Sequence, residues 1–281
     1  MKVAIIGCGL IGGSIGLAIK ENMGWEITGI GRDMERLNKA LMVGAVDHIT
    51  VDFKEGLRDA DIVIVATPVK AILEIIPKLS PHLKDGAIIT DVGSTKEKIT
   101  YALTDLLRKG VHFVGGHPMA GGHSSGVGAA RGDLFCGRVC ILTPIPNTDK
   151  EALSFVRSMW ERMGARVIEM SPSRHDQLIG LTSHLPHLVA MELVGLVSEY
   201  DSGKTDLKSL IGEGFRDMTR IAKSSPDMWR DICLTNREVL ISILDRFRKR
   251  IDHLSSIIKD GAEREIWEEF SRAREWRSGI S

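Results

Sequence analysis

Three short stretches carry residues able to bind a phosphate, orient an alcohol and take up its proton. Gly7-Cys8-Gly9-Leu10-Ile11-Gly12 has the spacing G-x-G-x-x-G. Its chemistry is that of missing side chains. Gly7 permits a tight turn, Gly9 lets a pyrophosphate approach the backbone, and Gly12 lets a helix pack close to a strand. The helix N-terminus then offers free N–H groups and a partial positive charge to the anion. Gly13 and Ser14 extend the turn, and the Ser14 hydroxyl is a further candidate donor. Alone the motif also describes an ordinary tight turn. Here an apolar run from Val3 precedes it and a helical pattern follows, the context a dinucleotide site requires. The other two stretches are Asp91-Val92-Gly93-Ser94-Thr95-Lys96 and Gly115-Gly116-His117-Pro118-Met119-Ala120-Gly121. A histidine beside an alcohol carbon accepts the hydroxyl proton while a hydride leaves that carbon, so His117 is the candidate base. The Ser94 hydroxyl is the candidate to orient that histidine or the alcohol. The alternative for His117 is a structural loop histidine.

Which dinucleotide binds turns on the end of the second strand. An NAD site carries Asp or Glu there, against the ribose 2′-hydroxyl. This chain has Gly29-Ile30-Gly31-Arg32-Asp33. With Gly31 at the acidic position, no carboxylate opposes a 2′-phosphate and Arg32 pairs with it. With Asp33 turned inward, NAD is favoured. Arg32 as a solvated loop charge is the third reading. The balance tips slightly to NADP, and NAD stays open. Leu10 and Ile11 within the turn, and Thr67-Pro68 where the strand Asp61–Ala66 ends, complete the candidate cofactor contacts.

Stepping outward, short apolar runs at Val3–Ile6, Glu26–Ile30, Asp61–Ala66, Ala87–Thr90 and His112–Val114 predict buried strands. Helical patterns fall between them, among them Met34–Val43, Val69–Ile76 and Lys96–Leu107. Alternating strands and helices imply a parallel sheet with right-handed crossovers. The Ser94 and His117 stretches then lie at the carboxyl edge, where open sheets bind ligands. Arg138–Leu142 and Arg166–Glu169 are expected to extend the same sheet. After about Ser171 strand-like runs disappear. Asp176–Leu181, Leu185–Tyr200, Leu207–Ile221, Trp229–Ile258 and Glu263–Arg277 have helical periodicity. The expected fold is an α/β Rossmann-type parallel sheet domain at 1–171, followed by an all-helical domain at 172–281. Apolar stripes on those helices favour a homodimer over a domain that buries its own stripes.

Composition narrows the function classes. The 281 residues are 43% hydrophobic and 26% charged, which excludes a disordered, collagenous or disulfide-scaffold chain. Lys+Arg and Asp+Glu both total 37, so nothing points to nucleic acid or to a polybasic membrane contact. Cys8, Cys136, Cys140 and Cys233 are too few for a disulfide framework, and C-x3-C without nearby histidines is a poor zinc site. Met1–Ile19 lacks a basic leader region and is broken by four glycines by Gly13, against a signal peptide. No uninterrupted apolar run of about 18 residues occurs, so no membrane span is expected. A reduced, cytoplasmic protein is the expectation.

Taken together, GCGLIGGS at Gly7–Ser14, DVGSTK at Asp91–Lys96 and GGHPMAG at Gly115–Gly121 resemble the prephenate/arogenate dehydrogenase family. So do Ser183-His184-Leu185-Pro186-His187 and Phe215-Arg216-Asp217-Met218-Thr219-Arg220. The resemblance spans most of the chain, and the last three motifs are far more specific than the glycine turn. It implies oxidative decarboxylation of prephenate to 4-hydroxyphenylpyruvate with hydride transfer to NAD or NADP, or the same chemistry on arogenate. By that resemblance His117 accepts the 4-hydroxyl proton, and Ser94 hydrogen-bonds both that hydroxyl and His117. Arg220 clamps a substrate carboxylate and His187 contacts the side chain. Arg216 is a second candidate cation or a surface charge, Asp217 a positioning or plain helix-face carboxylate, and Trp229 a pocket wall or core residue. His184 and His187, three apart, have no carboxylate or thiol at metal spacing, and the chemistry needs no metal. Some members carry an acidic residue where His123 stands, so His123 is a candidate contact for the second carboxylate or a solvated loop residue. Ending at Ser281, the chain is expected to lack an ACT-like or fused chorismate mutase domain. Two rival readings are a β-hydroxyacid dehydrogenase, disfavoured because no lysine appears in the helical part until Lys204, and a non-catalytic dinucleotide sensor.

Overall fold

A computed structural model describes residues 1–104, 106–121, 126–201 and 207–280. These divide into two compact units, Met1–Arg237 and Glu238–Ser281, each treated by itself.

The first unit begins with a doubly wound α/β sheet. Its strands are β1 (Lys2–Ile6), β2 (Glu26–Ile30), β3 (His48–Thr50), β4 (Ile62–Val65), β5 (Ile88–Asp91) and β6 (His112–Val114). All pair in parallel, in the order β3-β2-β1-β4-β5-β6. Between them run α1 (Leu10–Met23), α2 (Met34–Met42), α3 (Phe53–Leu57), α4 (Val69–Leu79) and α5 (Glu97–Thr104). Alternate side chains of one strand feed opposite cores. Val3 and Ile5 join Ile15, Ile19 and Trp160 on one face, whereas Ala4 and Ile6 join Val63, Ile72 and Ile76 on the other. A sheet buried on both faces needs continuous apolar strands, which is why these runs are legible. Order 3-2-1-4-5-6 is the dinucleotide-binding arrangement.

The three later strands do not extend that sheet as the sequence suggests. β7 (Gly116–Pro118), β8 (Val139–Leu142) and β9 (Arg166–Glu169) form a separate three-stranded sheet, with β7 antiparallel to β8 and β8 parallel to β9. The chain leaves the first sheet at Gly115, whose carbonyl accepts from the Thr143 amide at 2.9 Å. A Cβ at Gly115 would stand 2.5 Å from Thr143 Oγ1, so any side chain there would have to push Thr143 aside. His117 therefore sits on a strand rather than in a loop. α6 (Lys150–Arg162) packs beneath, its Trp160 edge-on to Phe135 with centroids 5.2 Å apart.

α7 (Pro172–Ile179) follows, started by the Ser171 cap and Pro172 at its first position. A π-turn at Gly180–His184 joins it to α8 (Leu185–Glu199). Pro172–Glu199 is long and apolar enough, by length and composition alone, to cross a membrane, although Ser183, His184, His187 and Glu192 interrupt its apolar run. It also carries His175, Asp176, His184 and His187. Leu207–Ile221 is not one helix. A 3₁₀ turn (Leu207–Leu210), α9 (Glu213–Thr219) and a second 3₁₀ turn (Arg220–Lys223) replace it, with Gly212 capping α9. The expected Trp229–Ile258 helix likewise breaks at Asn236 into α10 (Pro226–Thr235) and α11 (Arg237–Lys259).

In the second unit α11 and α12 (Glu263–Ser278) form an antiparallel hairpin about Gly261, tied by Arg250 to Glu269 at 2.7 Å. Ile241, Leu244, Ile251 and Ile258 stay exposed on α11, as do Trp267, Phe270 and Trp276 on α12.

Candidate active site

The glycine turn is built to accept an anion. Gly7 has φ 93°, and a Cβ there would meet the Ala66 carbonyl oxygen at 2.7 Å. A Cβ at Gly12 would stand 2.2 Å from the Gly7 carbonyl oxygen, whereas one at Gly9 would meet nothing within 4 Å. Strand and helix thus close on each other and leave space above Gly9. Gly9 caps α1 without a side-chain bond, and the first turn holds no carboxylate. The N–H groups of Leu10, Ile11 and Gly12 are therefore spare, the first helical bond here being Gly13 N to Gly9 O. Thr67 Oγ1, at the rim of the cradle, is buried with no partner among the described residues, a donor awaiting an acceptor. Pro68 caps α4 beside it. These features fit a dinucleotide. Ser14 takes no part, because its oxygen accepts from the Arg131 amide at 3.0 Å inside the core.

At the end of β2, Asp33 is committed elsewhere. Its carboxylate caps α2, accepting from the amides of Glu35 (3.0 Å) and Arg36 (3.3 Å), and it pairs with the Arg36 guanidinium. Gly31 follows the last strand residue, and Arg32 is exposed, with no carboxylate partner among the described residues.

The second feature is a buried polar network about His117. Lys96 and Asp91, both fully buried, form an ion pair. Lys96 Nζ also donates to the Gly116 carbonyl at 2.8 Å, while Asp91 accepts from the amides of Gly93 (2.8 Å) and Gly116 (3.3 Å). The pair thus clamps both backbone groups of the residue before His117. His117 Nδ1 lies 2.8 Å from His175 Nε2, and His175 Nδ1 lies 2.7 Å from Asp176 Oδ1. Asp176 in turn accepts from the amides of Lys96 (2.8 Å) and Glu97 (3.0 Å), capping α5 from a distant helix. Sequence reasoning left His175 and Asp176 unassigned. The available signal was an adjacent His-Asp pair within the short helix PSRHDQLI. Ser94 sits half-buried in the turn before α5, and among the described residues it makes no hydrogen bond to His117.

A third group lines the helical side. Asn236 donates to the Asp176 carbonyl at 3.1 Å, and its amide lies 3.2 Å from His184 Nδ1. His184 Nε2 is buried without a partner among the described residues. His187 Nδ1 donates to the Ser183 carbonyl at 2.9 Å, and its ring lies over Trp229 with centroids 4.3 Å apart. The Arg220–Lys223 turn packs on α8, the helix bearing His187. Arg216 and Arg220 are exposed, on α9 and at its end, and Asp217 is an exposed residue of α9. His123 lies outside the described residues. No group of three His, Cys, Asp or Glu side chains among the described residues is arranged to hold a metal.

Electrostatics favour the uncharged form of His117, His175 and His184. Burial, then His175, Lys96 and His184, hold His117 well below the ordinary histidine range. Burial also lowers His175, against the pull of Asp176, and takes His184 down to about 4. Burial lowers Lys96 despite Asp91. A neutral imidazole is the form that accepts a proton.

A Rossmann sheet, an anion cradle and a neutral buried histidine at the same sheet edge define a nicotinamide-dinucleotide oxidoreductase. Residues 15–169 match the family described as prephenate dehydrogenase, nucleotide-binding domain, and residues 171–272 match prephenate dehydrogenase, dimerization domain. The chain belongs to the prephenate dehydrogenase family. It is similar to a prephenate dehydrogenase of Bacillus subtilis, 39% identical over 99% of this chain and 76% of that one. Its structure is similar to that of prephenate dehydrogenase from A. aeolicus, solved with hydroxyphenyl propionate and NAD+. The TM-score is 0.95 at 38% identity, over 100% of this chain and 98% of that one. An arogenate dehydrogenase from Synechocystis superposes with TM-score 0.87 at 31% identity, over all of both chains.

Proposed function

We propose that this chain oxidises and decarboxylates prephenate to 4-hydroxyphenylpyruvate, as a cytoplasmic homodimer serving tyrosine formation. The observation that carries the reading is the neutral, buried His117 at the carboxyl edge of a sheet with a dinucleotide cradle. Leu10, Ile11 and Gly12 amides, with Thr67, hold the cofactor, which supplies a hydride acceptor. His117 takes the proton of the ring 4-hydroxyl as hydride leaves the same carbon. The bond from the ring to its carboxylate then breaks, its electron pair enters the ring, and CO2 departs. The proton returns to the new phenol oxygen, so atoms and charge balance, and aromatisation drives the step. Ser94 orients the hydroxyl. Arg220, with Arg216 and His123, holds the two carboxylates, a task suited to guanidinium forks. His187, fixed against Trp229, faces the substrate side chain. Residues 1–171 serve the cofactor, and 172–281 serve substrate and dimer contacts. The exposed apolar residues of α8, α11 and α12 are the surfaces for the second copy.

NADP is the cofactor this reading favours, because Asp33 is spent on α2 and Arg32 is left for a 2′-phosphate. A second reading, arogenate as substrate, draws on the likeness to the Synechocystis enzyme. One assay separates them: reduction followed at 340 nm with prephenate or arogenate, each with NAD or NADP. Turnover with prephenate and NADP is expected. Turnover with arogenate alone moves the substrate, and none in any combination, from folded protein that binds cofactor, overturns the reading.

A further inference from the structure

The hydrogen-bond chain behind His117 has a direction. Asp176 Oδ1 and Oδ2 accept from the amides of Lys96 and Glu97. A backbone N–H only donates, so both oxygens are held as acceptors. His175 Nδ1, at 2.7 Å from Oδ1, must then carry the proton and donate it. A neutral His175 is left with a lone pair on Nε2. His117 Nδ1, 2.8 Å away, must supply the hydrogen of that contact. The remaining ring nitrogen of His117, Nε2, is thereby bare.

We infer that Asp176 and His175 are positioning residues for His117, fixing its tautomer so that Nε2 presents a lone pair to the substrate hydroxyl. The inference rests on His117 being the proton acceptor of the proposed reaction. It gives Asp176 two tasks, capping α5 and setting the histidine chain, and so couples the start of α5, next to Lys96, to the base. When His117 becomes imidazolium, Nδ1–H still donates to His175, and the Asp176 carboxylate behind His175 stabilises the charge with no second proton transfer. The other charged or titratable groups bearing on His117 are Lys96 and Asp91 behind Gly116, Cys140 on β8, and His184.

The first test reads the wild-type holoenzyme, with one variant used only for assignment. In protein labelled with 15N-histidine, His117, assigned by its loss in His117→Asn, should show a protonated Nδ1 and a bare Nε2. The opposite tautomer overturns the inference. Steady-state assays with prephenate add a second test, with circular dichroism and cofactor Kd as controls. His175→Leu should lower kcat by roughly 10²–10³-fold with KM within about threefold, as loss of a tautomer-setting partner does elsewhere. His175→Gln should recover to within about tenfold of wild type, since its amide both donates to Asp176 and accepts from His117. Gln no better than Leu, or Leu within threefold of wild type, overturns the positioning role. If His117→Asn itself turns over normally, the proton-acceptor reading fails first. If His117→Asn is inactive while His175→Leu is normal, this inference alone fails.

Discussion

The cofactor cradle and the His117 network occupy the same sheet edge but are made of opposite materials. The cradle consists of backbone: three glycines, spare helix amides and one orphaned hydroxyl. The network consists of buried polar and charged groups: Lys96, Asp91, Asp176, His117, His175 and His184, held in register by hydrogen bonds between segments far apart in the chain. A backbone site is cheap to hold, because its groups are ordered by the fold itself. A buried charged site is stable only while every partner is present. The two should therefore fail in different ways when disturbed.

The network should suffer most. Lys96→Met leaves Asp91 without its cation and frees the Gly116 carbonyl. Removing one partner of a buried pair costs about 3–5 kcal/mol. Urea midpoints should show a loss of that size. The double replacement Lys96→Met with Asp91→Leu should cost less than the single one, since no uncompensated carboxylate remains. A double variant no better than the single would mean that the clamp on Gly116, and not charge balance, is what the pair supplies.

Acid should open the network before it touches the cradle. His184 has its folded value lowered to about 4, and His117 and His175 are lowered as well. Below about pH 6.5 the unfolded chain takes up protons that the folded chain refuses. More protons bound when unfolded means that stability rises with pH. The stabilising contribution is thus complete above about 6.5 and is lost as pH falls towards 4. For His184 alone the loss is on the order of 3 kcal/mol by pH 4. Thermal melts between pH 7 and pH 4 should decline through that window, and His184→Leu should flatten the decline. An unchanged slope in that variant would place the acid sensitivity elsewhere.

The cradle should lose function without losing stability. A Cβ at Gly9 meets no protein atom within 4 Å, but it enters the space above the α1 N-terminus. Gly9→Ala should melt close to wild type while its cofactor affinity falls by roughly 30-fold, about 2 kcal/mol of steric cost. An equal fall in melting temperature and affinity would make Gly9 a folding glycine, like Gly12, whose Cβ would strike the Gly7 carbonyl.

The same contrast explains what could be read in advance. The glycine spacing and the apolar strands lie within short stretches, so periodicity exposes the sheet and the cradle. His117 stood out because it follows a strand end. His175 and Asp176 are about 58 residues further on by the His117–His175 separation, and Asn236 is 60 beyond Asp176. Nothing local marks residues that meet only in three dimensions. The second sheet was missed because Gly115 bends the chain for want of a side chain, which a run of β-type residues does not register. The helix expected across Asn236 breaks where that side chain turns back to Asp176 and His184, a tertiary demand that overrides helical periodicity.

The smallest effect tests the edge of the cradle, where side-chain charge returns. Arg32 is exposed and has no carboxylate partner among the described residues, while Asp33 is held by the amides of α2. An exposed guanidinium on a 2′-phosphate is screened by solvent and salt, so its worth is modest. Arg32→Ala should weaken NADP by about tenfold, roughly 1.4 kcal/mol, and leave NAD nearly unchanged. Gly31→Asp should act in the opposite direction, adding a carboxylate that repels the 2′-phosphate and bonds a 2′-hydroxyl. Its new Cβ would lie 3.2 Å from Leu37 Cδ2, a flexible tip that can yield. The NADP preference of Arg32→Ala should also lose its dependence on salt between low and physiological ionic strength. Equal losses for NAD and NADP would show that Arg32 supports the adenosine side generally, and the selectivity would then have to come from backbone, as the rest of the cradle does.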